Sequence, residues 1–266
     1  VVKNQMMASG DSQVVAIIPA AGVGRRMGGQ TPKLLRKLAG QEILIRTLKA
    51  LNIPEIEAFF ISVSLPLKEE ISRLVREAFT EREIFFSDGG KERQDSVFNC
   101  LSAASDWSGW RVPPERRIVL IHDAARPLVD EEVLRQVIRE ASVTGASGVG
   151  VPVKDTIKVV GGDLMVKETP DRTCLWAIQT PQAFSFPVIW EAHLRARADS
   201  FMGTDDCSLV ERSGYPVRMV EGSYRNIKIT TPEDTRIAAV FLEEGGTETM
   251  LRVGQGYDVH RVLTGR

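Results

Sequence analysis

Cysteine is scarce in these 266 residues: Cys100, Cys174 and Cys207 are odd in number and far apart. That excludes a disulfide framework and suits buried or incidental reduced thiols in a cytoplasmic protein. No apolar stretch approaches the roughly 18 residues of a membrane span, and the polar opening VVKNQMMASGDSQ lacks the apolar core of a secretory signal. No membrane partner is expected. Charge of one sign is missing too, since 34 Lys and Arg nearly cancel 35 Asp and Glu to a net −1. Nucleic acid and anionic membranes therefore have no broad field to answer, and any chemistry on anions must be local. Neither an internal repeat nor a low-complexity segment appears, while a hydrophobic fraction of 43% supplies a core that needs no staples.

What the chain does have is alternation. Short β-branched runs at 14–20, 58–64, 83–87, 117–124 and 147–153 read as strands, and the segments 42–51, 68–79, 93–104 and 130–142 place apolar residues at helical spacing. This β-α-β-α order predicts an α/β fold with a mainly parallel sheet, helices on both faces and ligands beyond the carboxyl ends of the strands. From 154 the pattern changes to short alternating stretches around Gly161 and Gly162, read as an antiparallel arm over about 153–175 whose tip carries few large apolar residues. Helices follow near 185–198 and 205–213, then strands at YPVRMVEG and NIKIT. A last helix starts at 232, with Thr231 as its cap, Pro232 in first position and an acid three residues after the cap.

Residues 19–33, PAAGVGRRMGGQTPK, follow the first strand and hold four glycines, three basic side chains and no acid. The glycine spacing is not that of a dinucleotide site, and Lys33 follows proline rather than closing a Walker loop. What remains is a turn whose N–H groups can approach an oxyanion, with Arg26 and Lys33 adding full charges, a set that suits a triphosphate. The plainer reading is a glycine-rich surface turn with solvated arginines. Asp123, at the carboxyl end of RIVLI, is placed to hold a ribose or substrate hydroxyl or a metal-bound water, or else to serve as a turn residue. His122 has no evident partner and is read as packing.

PAAGVGRRM with PK after a short spacer, then DGGKERQDSV, HDAARP, PVKDTIK, DRTCLWAIQTPQ and VEGSYRNIKITTPED, resemble in order the motifs of the 2-C-methyl-D-erythritol 4-phosphate cytidylyltransferases, from about residue 14 to 243. The resemblance implies a three-layer Rossmann-like nucleotidyltransferase fold with a protruding β-arm. It implies CTP and methylerythritol phosphate as substrates, Mg2+ with the CTP, and a homodimer that exchanges the arm. It also assigns residues. Arg26 and Lys33 take the triphosphate, and Lys228, at the end of a late strand, takes the α-phosphate. Ala20, Ala21, Gly22 and Gly24 cradle the nucleotide, Gly90 and Ser96 recognise the base, and Asp123 serves nucleotide and substrate. Arg126, Thr156, Arg172 and Thr180 hold the methylerythritol phosphate, the arm residues coming from the partner subunit; Arg126 is equally placed to pair with Asp123. Taken singly, Lys228 and Arg172 are ordinary surface cations, and Gly90 with Ser96 an ordinary turn before a helix.

The chemistry of such a reaction agrees with that residue set. A phosphomonoester oxygen is already an anionic nucleophile, so attack on an α-phosphorus needs alignment and positive charge rather than a serine, a cysteine or a strong base. After the polar linker 244–250, RVGQGYDVHR resembles the opening of 2-C-methyl-D-erythritol 2,4-cyclodiphosphate synthase, where Asp258 and His260 match two zinc ligands. A zinc site needs a third, so a divalent metal such as Zn2+ is expected only for a second domain of which 251–266 are the truncated start. The expected organisation is thus a tail (1–12), a transferase domain (13–243), the linker and that fragment. Two rivals stand beside this reading: a cytidylyltransferase for another polyol phosphate such as ribitol 5-phosphate, and a nucleotide-binding subunit without turnover.

Overall fold

The computed structural model describes residues 12–22 and 31–244. Its strands are β1 (Gln13–Pro19), the short pair β2 (Lys37–Leu38) and β3 (Gln41–Glu42), β4 (Ile56–Val63), β5 (Glu83–Asp88), β6 (Arg117–Ile121), β7 (Ala146–Pro152), β8 (Val159–Val160), β9 (Val166–Glu168), β10 (Trp176–Ser185) and β11 (Arg218–Glu221). Its helices are α1 (Ile43–Ala50), α2 (Lys68–Ala78), α3 (Arg93–Ser105), α4 (Glu131–Thr144), α5 (Phe186–Ala198), α6 (Asp206–Arg212) and α7 (Pro232–Glu244). Seven strands form one sheet in the order β11-β7-β10-β6-β1-β4-β5, in which β10 alone runs antiparallel to its neighbours. The predicted α/β layering is the observed one.

The layers follow from side-chain alternation along buried strands. In β1, Val14, Ala16 and Ile18 pack into one core with Leu44 and Leu48 of α1, Ile71 and Val75 of α2, and Leu134 and Val137 of α4. Val15 and Ile17 point into the other, with Val97 and Leu101 of α3, Ile189 of α5 and Leu209 of α6. Helix ends are set by local chemistry. Asp130 accepts the Glu132 N–H at 2.8 Å to start α4, and Gly145 ends it in the left-handed region at φ 86°. The reciprocal cap read from the sequence opens α7: Asp234 Oδ2 accepts the Thr231 N–H at 2.8 Å, and Thr231 Oγ1 accepts the Asp234 N–H at 3.4 Å.

The arm is a hairpin in which β8 pairs antiparallel with β9, and its base is closed where the Val153 N–H donates to the Leu175 carbonyl at 3.0 Å. Two expectations need correction. The arm is not poor in apolar side chains, because Leu164 is 84% and Met165 67% exposed beside Val159, Val160 and Val166. Among the described residues nothing covers these side chains, and an exposed apolar cluster of this kind is unusual on a soluble surface. NIKIT is not a strand: residues 226–230 form no ladder with the sheet, and the Ile229 N–H donates to the Ala125 carbonyl at 2.9 Å just past the end of β6. Their apolar residues pack without a ladder, which periodicity alone does not distinguish from a strand.

Candidate active site

The carboxyl ends of β1, β5 and β6 open on one cavity of about 300 Å3. Its walls are Ala21, Gly22 and Lys33 of the opening loop, Gly90 through Arg93 with Ser96 at the start of α3, Asp123 through Ala125 after β6, and Lys228. The turn into α3 is shaped by steric need: a Cβ on Gly89 would sit 2.1 Å from the Ala21 Cβ, and one on Gly90 2.1 Å from the Asp95 Cβ. Ser96 Oγ accepts the Gly90 N–H at 3.0 Å and faces the Glu92 carbonyl at 3.2 Å, so this hydroxyl holds the turn in shape. The Ala20 N–H is spent on the Ser62 carbonyl, while Ala21 and Gly22, the next described residues of the loop, line the cavity.

Asp123 is the centre of charge. It is 7% exposed, and three cations converge on it: Arg93 Nε at 3.1 Å from Oδ1, Lys228 Nζ at 2.9 Å and Arg126 Nε at 3.4 Å from Oδ2. Burial pushes its carboxyl up, but Arg93, Lys228 and Arg126 together outweigh that and hold it well below the usual carboxylate range. Arg93 in turn grips Asp206, with Nη1 2.7 Å from Oδ2. Burial disfavours its charge, yet Asp206 and Asp123 raise the guanidinium above its ordinary value. With Lys33 and Lys91 on the same wall, the cavity is built for a polyanion.

The peptide before Asp123 is fixed from behind. His122 is fully buried, with Nε2 2.9 Å from the Arg126 carbonyl and Nδ1 3.2 Å from Thr180 Oγ1, which accepts the Asp123 N–H at 3.0 Å. Burial pushes its imidazole down to about 4, so it stays neutral and works through its hydrogen bonds rather than as a base. Thr180 therefore stands in the sheet, buried, rather than with the arm. Thr156 and Arg172 are exposed on the arm and do not line the cavity; Arg172 Nη1 bonds to the Lys154 carbonyl at 2.9 Å. Gly24, Arg26, Asp258 and His260 lie outside the described residues. Asn226 ties the segment bearing Lys228 to the sheet through Gln179 Oε1 (3.1 Å) and the Thr180 carbonyl (2.9 Å).

Among the described residues no three His, Cys, Asp or Glu side chains gather as a metal cage. Asp123 has both oxygens turned to cations, so these residues do not fit a magnesium ion held by the protein itself.

Residues 14–244 match the family described as 2-C-methyl-D-erythritol 4-phosphate cytidylyltransferase. The chain belongs to that family. The cytidylyltransferase of Desulforamulus reducens is 42% identical over 233 residues, covering 86% of this chain and 96% of that protein. Among solved structures, the 4-diphosphocytidyl-2C-methyl-D-erythritol synthase of Anaerococcus prevotii superposes with a TM-score of 0.74 at 30% identity, over 88% of this chain and 97% of its own. The bifunctional IspDF of Campylobacter jejuni shares the fold, with a TM-score of 0.67 at 22% identity over 85% of this chain and 54% of that one. The chain is thus a nucleotidyltransferase of isoprenoid biosynthesis by family. No helix among the described residues is long and apolar enough to cross a membrane.

Within this cytidylyltransferase, sequence reasoning missed Arg93 and Asp206. Arg93 stood inside the quoted DGGKERQDSV with a usable signal: a cation at the first position of a helix opposes the dipole and needs a nearby anion to explain it. Asp206 had a fainter one. Asp205 already caps α6 by accepting the Ser208 N–H at 2.9 Å, which leaves the second aspartate spare for something else.

Proposed function

We propose that this chain transfers the cytidylyl group of CTP to 2-C-methyl-D-erythritol 4-phosphate, giving 4-diphosphocytidyl-2-C-methyl-D-erythritol and pyrophosphate, in the cytoplasm. The observation that carries the site is the convergence of Arg93, Arg126 and Lys228 on Asp123 in a cavity that Lys33 also lines. The phosphate oxygen of the acceptor attacks the α-phosphorus, the bond to the pyrophosphate breaks, and no proton need move. Lys33 and Arg26 neutralise the triphosphate and the leaving group, while Lys228 holds the α-phosphate oxygens as charge grows on them. Gly90 and the turn that Ser96 holds meet the cytosine edge, and Ala21 and Gly22 offer backbone to the phosphates, a role assigned to Gly24 as well. Asp123 keeps the cations spread and offers its carboxylate to a sugar hydroxyl. Mg2+ arrives on the CTP as part of the substrate, its ligands being phosphates and water.

Thr156 and Arg172 are assigned to the methylerythritol phosphate, reached from the arm of a second copy in a homodimer. In support, the arm's apolar face is uncovered and neither residue lines the cavity of its own chain. Arg172 has the planar fork suited to a phosphate. Thr180 acts behind Asp123, and Arg126 divides its guanidinium between that carboxylate and the Asn226 carbonyl at 2.7 Å. The likeness of residues 251–266 to the start of a cyclodiphosphate synthase supports reading the chain as part of a bifunctional polypeptide, with Asp258 and His260 as two of its zinc ligands.

The test is pyrophosphate release from CTP and Mg2+ with methylerythritol 4-phosphate, run beside ribitol 5-phosphate. Release with the first alone is expected. Release with ribitol phosphate alone would move the substrate, and none with either would favour a binding subunit.

A further inference from the structure

We infer that Asp206, which does not line the cavity, is a positioning residue for the transfer: it aims Arg93, and through Arg93 it sets how Asp123 is shared between its cations. The inference rests on the reaction proposed above. Asp206 is 1% exposed and is gripped from three elements. Its Oδ2 takes Arg93 Nη1 of α3 at 2.7 Å, its Oδ1 faces His193 Nε2 of α5 at 3.2 Å, and its backbone N–H donates to Gln182 Oε1 of β10 at 3.1 Å. A carboxylate so enclosed is costly unless it is paired, and a well-packed apolar residue would serve the core at least as well. Helix capping does not account for it, since Asp205 does that work.

The guanidinium geometry shows what the pairing achieves. Arg93 places Nε on Asp123 and Nη1 on Asp206, while Nη2 is buried with no hydrogen-bond partner among the described residues. The fork is planar, so pinning Nη1 on Asp206 anchors the guanidinium, and as held it meets Asp123 through Nε alone. Released from Asp206, Arg93 would gain by turning a two-pronged face to Asp123, the stronger arrangement for arginine and carboxylate. That would compete with Lys228, which sits 2.9 Å from the same carboxylate, and would pull the cation pattern away from the substrate phosphates. Asp206 thus prevents an ion pair that is locally better and catalytically worse.

A double-mutant cycle tests this by steady-state pyrophosphate release, with thermal midpoints measured alongside. Wild-type turnover separates the two claims, because its absence overturns the assigned reaction and this role with it. With turnover present, Asp206→Asn is expected to lower kcat about tenfold with KM for CTP little changed, and Arg93→Ala to lower it about a hundredfold. The double variant should match Arg93→Ala alone, since Asp206 acts only through that arginine. The double also removes both members of the pair together, leaving no unpaired charge at Asp206, so it remains informative where a single variant folds poorly. His193→Gln loosens Asp206 from its other side and should cost about threefold in kcat, again only while Arg93 is present. The role is overturned by an Asp206→Asn variant within twofold of wild type, by a midpoint shift without a kcat loss, or by a full tenfold loss repeated in the Arg93→Ala background.

Discussion

The cavity and the arm are built on opposite terms. At the cavity, charge is enclosed and tied: one carboxylate, 7% exposed, meets cations from three separate stretches of chain. On the arm, the exposed and untied component is apolar, led by Leu164 and Met165 at the tip of a hairpin whose strands are only two and three residues long. A two-stranded hairpin of that size is marginal in water by itself. Among the described residues the cavity has its ion network complete, whereas the arm has its shape but no cover. The difference separates two kinds of surface, one in which charge is placed and tied inside the chain and one in which apolar side chains stand exposed.

The comparison breaks most severely at Asp123. Replacing it with Ala leaves Arg93, Arg126 and Lys228 facing one another without the anion that separates them. We expect kcat/KM to fall about a thousandfold and stability by about 2 kcal/mol, the latter kept modest because Arg93 and Lys228 are partly solvated. Turnover assays with urea titration read both, and an active, stable Asp123→Ala variant would remove the centre from this description. Lys228→Ala is the cleaner probe of catalysis. Its side chain is 39% exposed, so its loss should cost about a hundredfold in kcat while the thermal midpoint scarcely moves.

The arm should answer in the reverse manner. Leu164→Asp with Met165→Asp places two charges on its apolar tip and touches nothing in the cores. On the homodimer proposed above, light scattering should then report a monomer in place of a dimer, with KM for methylerythritol phosphate raised about tenfold and the thermal midpoint of the sheet unchanged. A variant that stays dimeric with an unaltered KM would detach the arm from acceptor binding.

How much of this was legible in the sequence also divides by region. The layered fold was, because a helix period and a buried-strand run differ over ten residues, and the boundaries of α1 and α3 fall within a residue or two of where periodicity puts them. Lys33, Gly90 and Asp123 were legible as loop residues after strands, the place where this architecture opens its site. Contacts between distant segments were not. Nothing in NIKIT tells that Lys228 rides on a stretch without a ladder, nothing in the spacing brings Asp206 across to Arg93, and a hydroxyl such as Thr180 reads alike whether it faces a ligand or a buried imidazole. Those are facts of tertiary placement, and composition carries no trace of them.

The smallest expected effect sharpens the comparison from the cavity side alone. His122 is neutral in the fold because burial holds its imidazole near 4, against about 6.5 for the free side chain. As pH falls below 6.5 the unfolded chain takes up a proton that the folded one refuses, so the contribution to stability is complete above 6.5 and drains away toward 4. Between pH 7.5 and 5.5 this amounts to about 1 kcal/mol. Urea titrations across that window should show the slope in wild type and its loss in His122→Asn. The arm variant should keep the slope in full, since its changes lie on a surface that shares no contact with the His122, Thr180 and Asp123 chain. An identical slope in His122→Asn would put the responsible proton elsewhere and leave the buried imidazole as packing without a titration of its own.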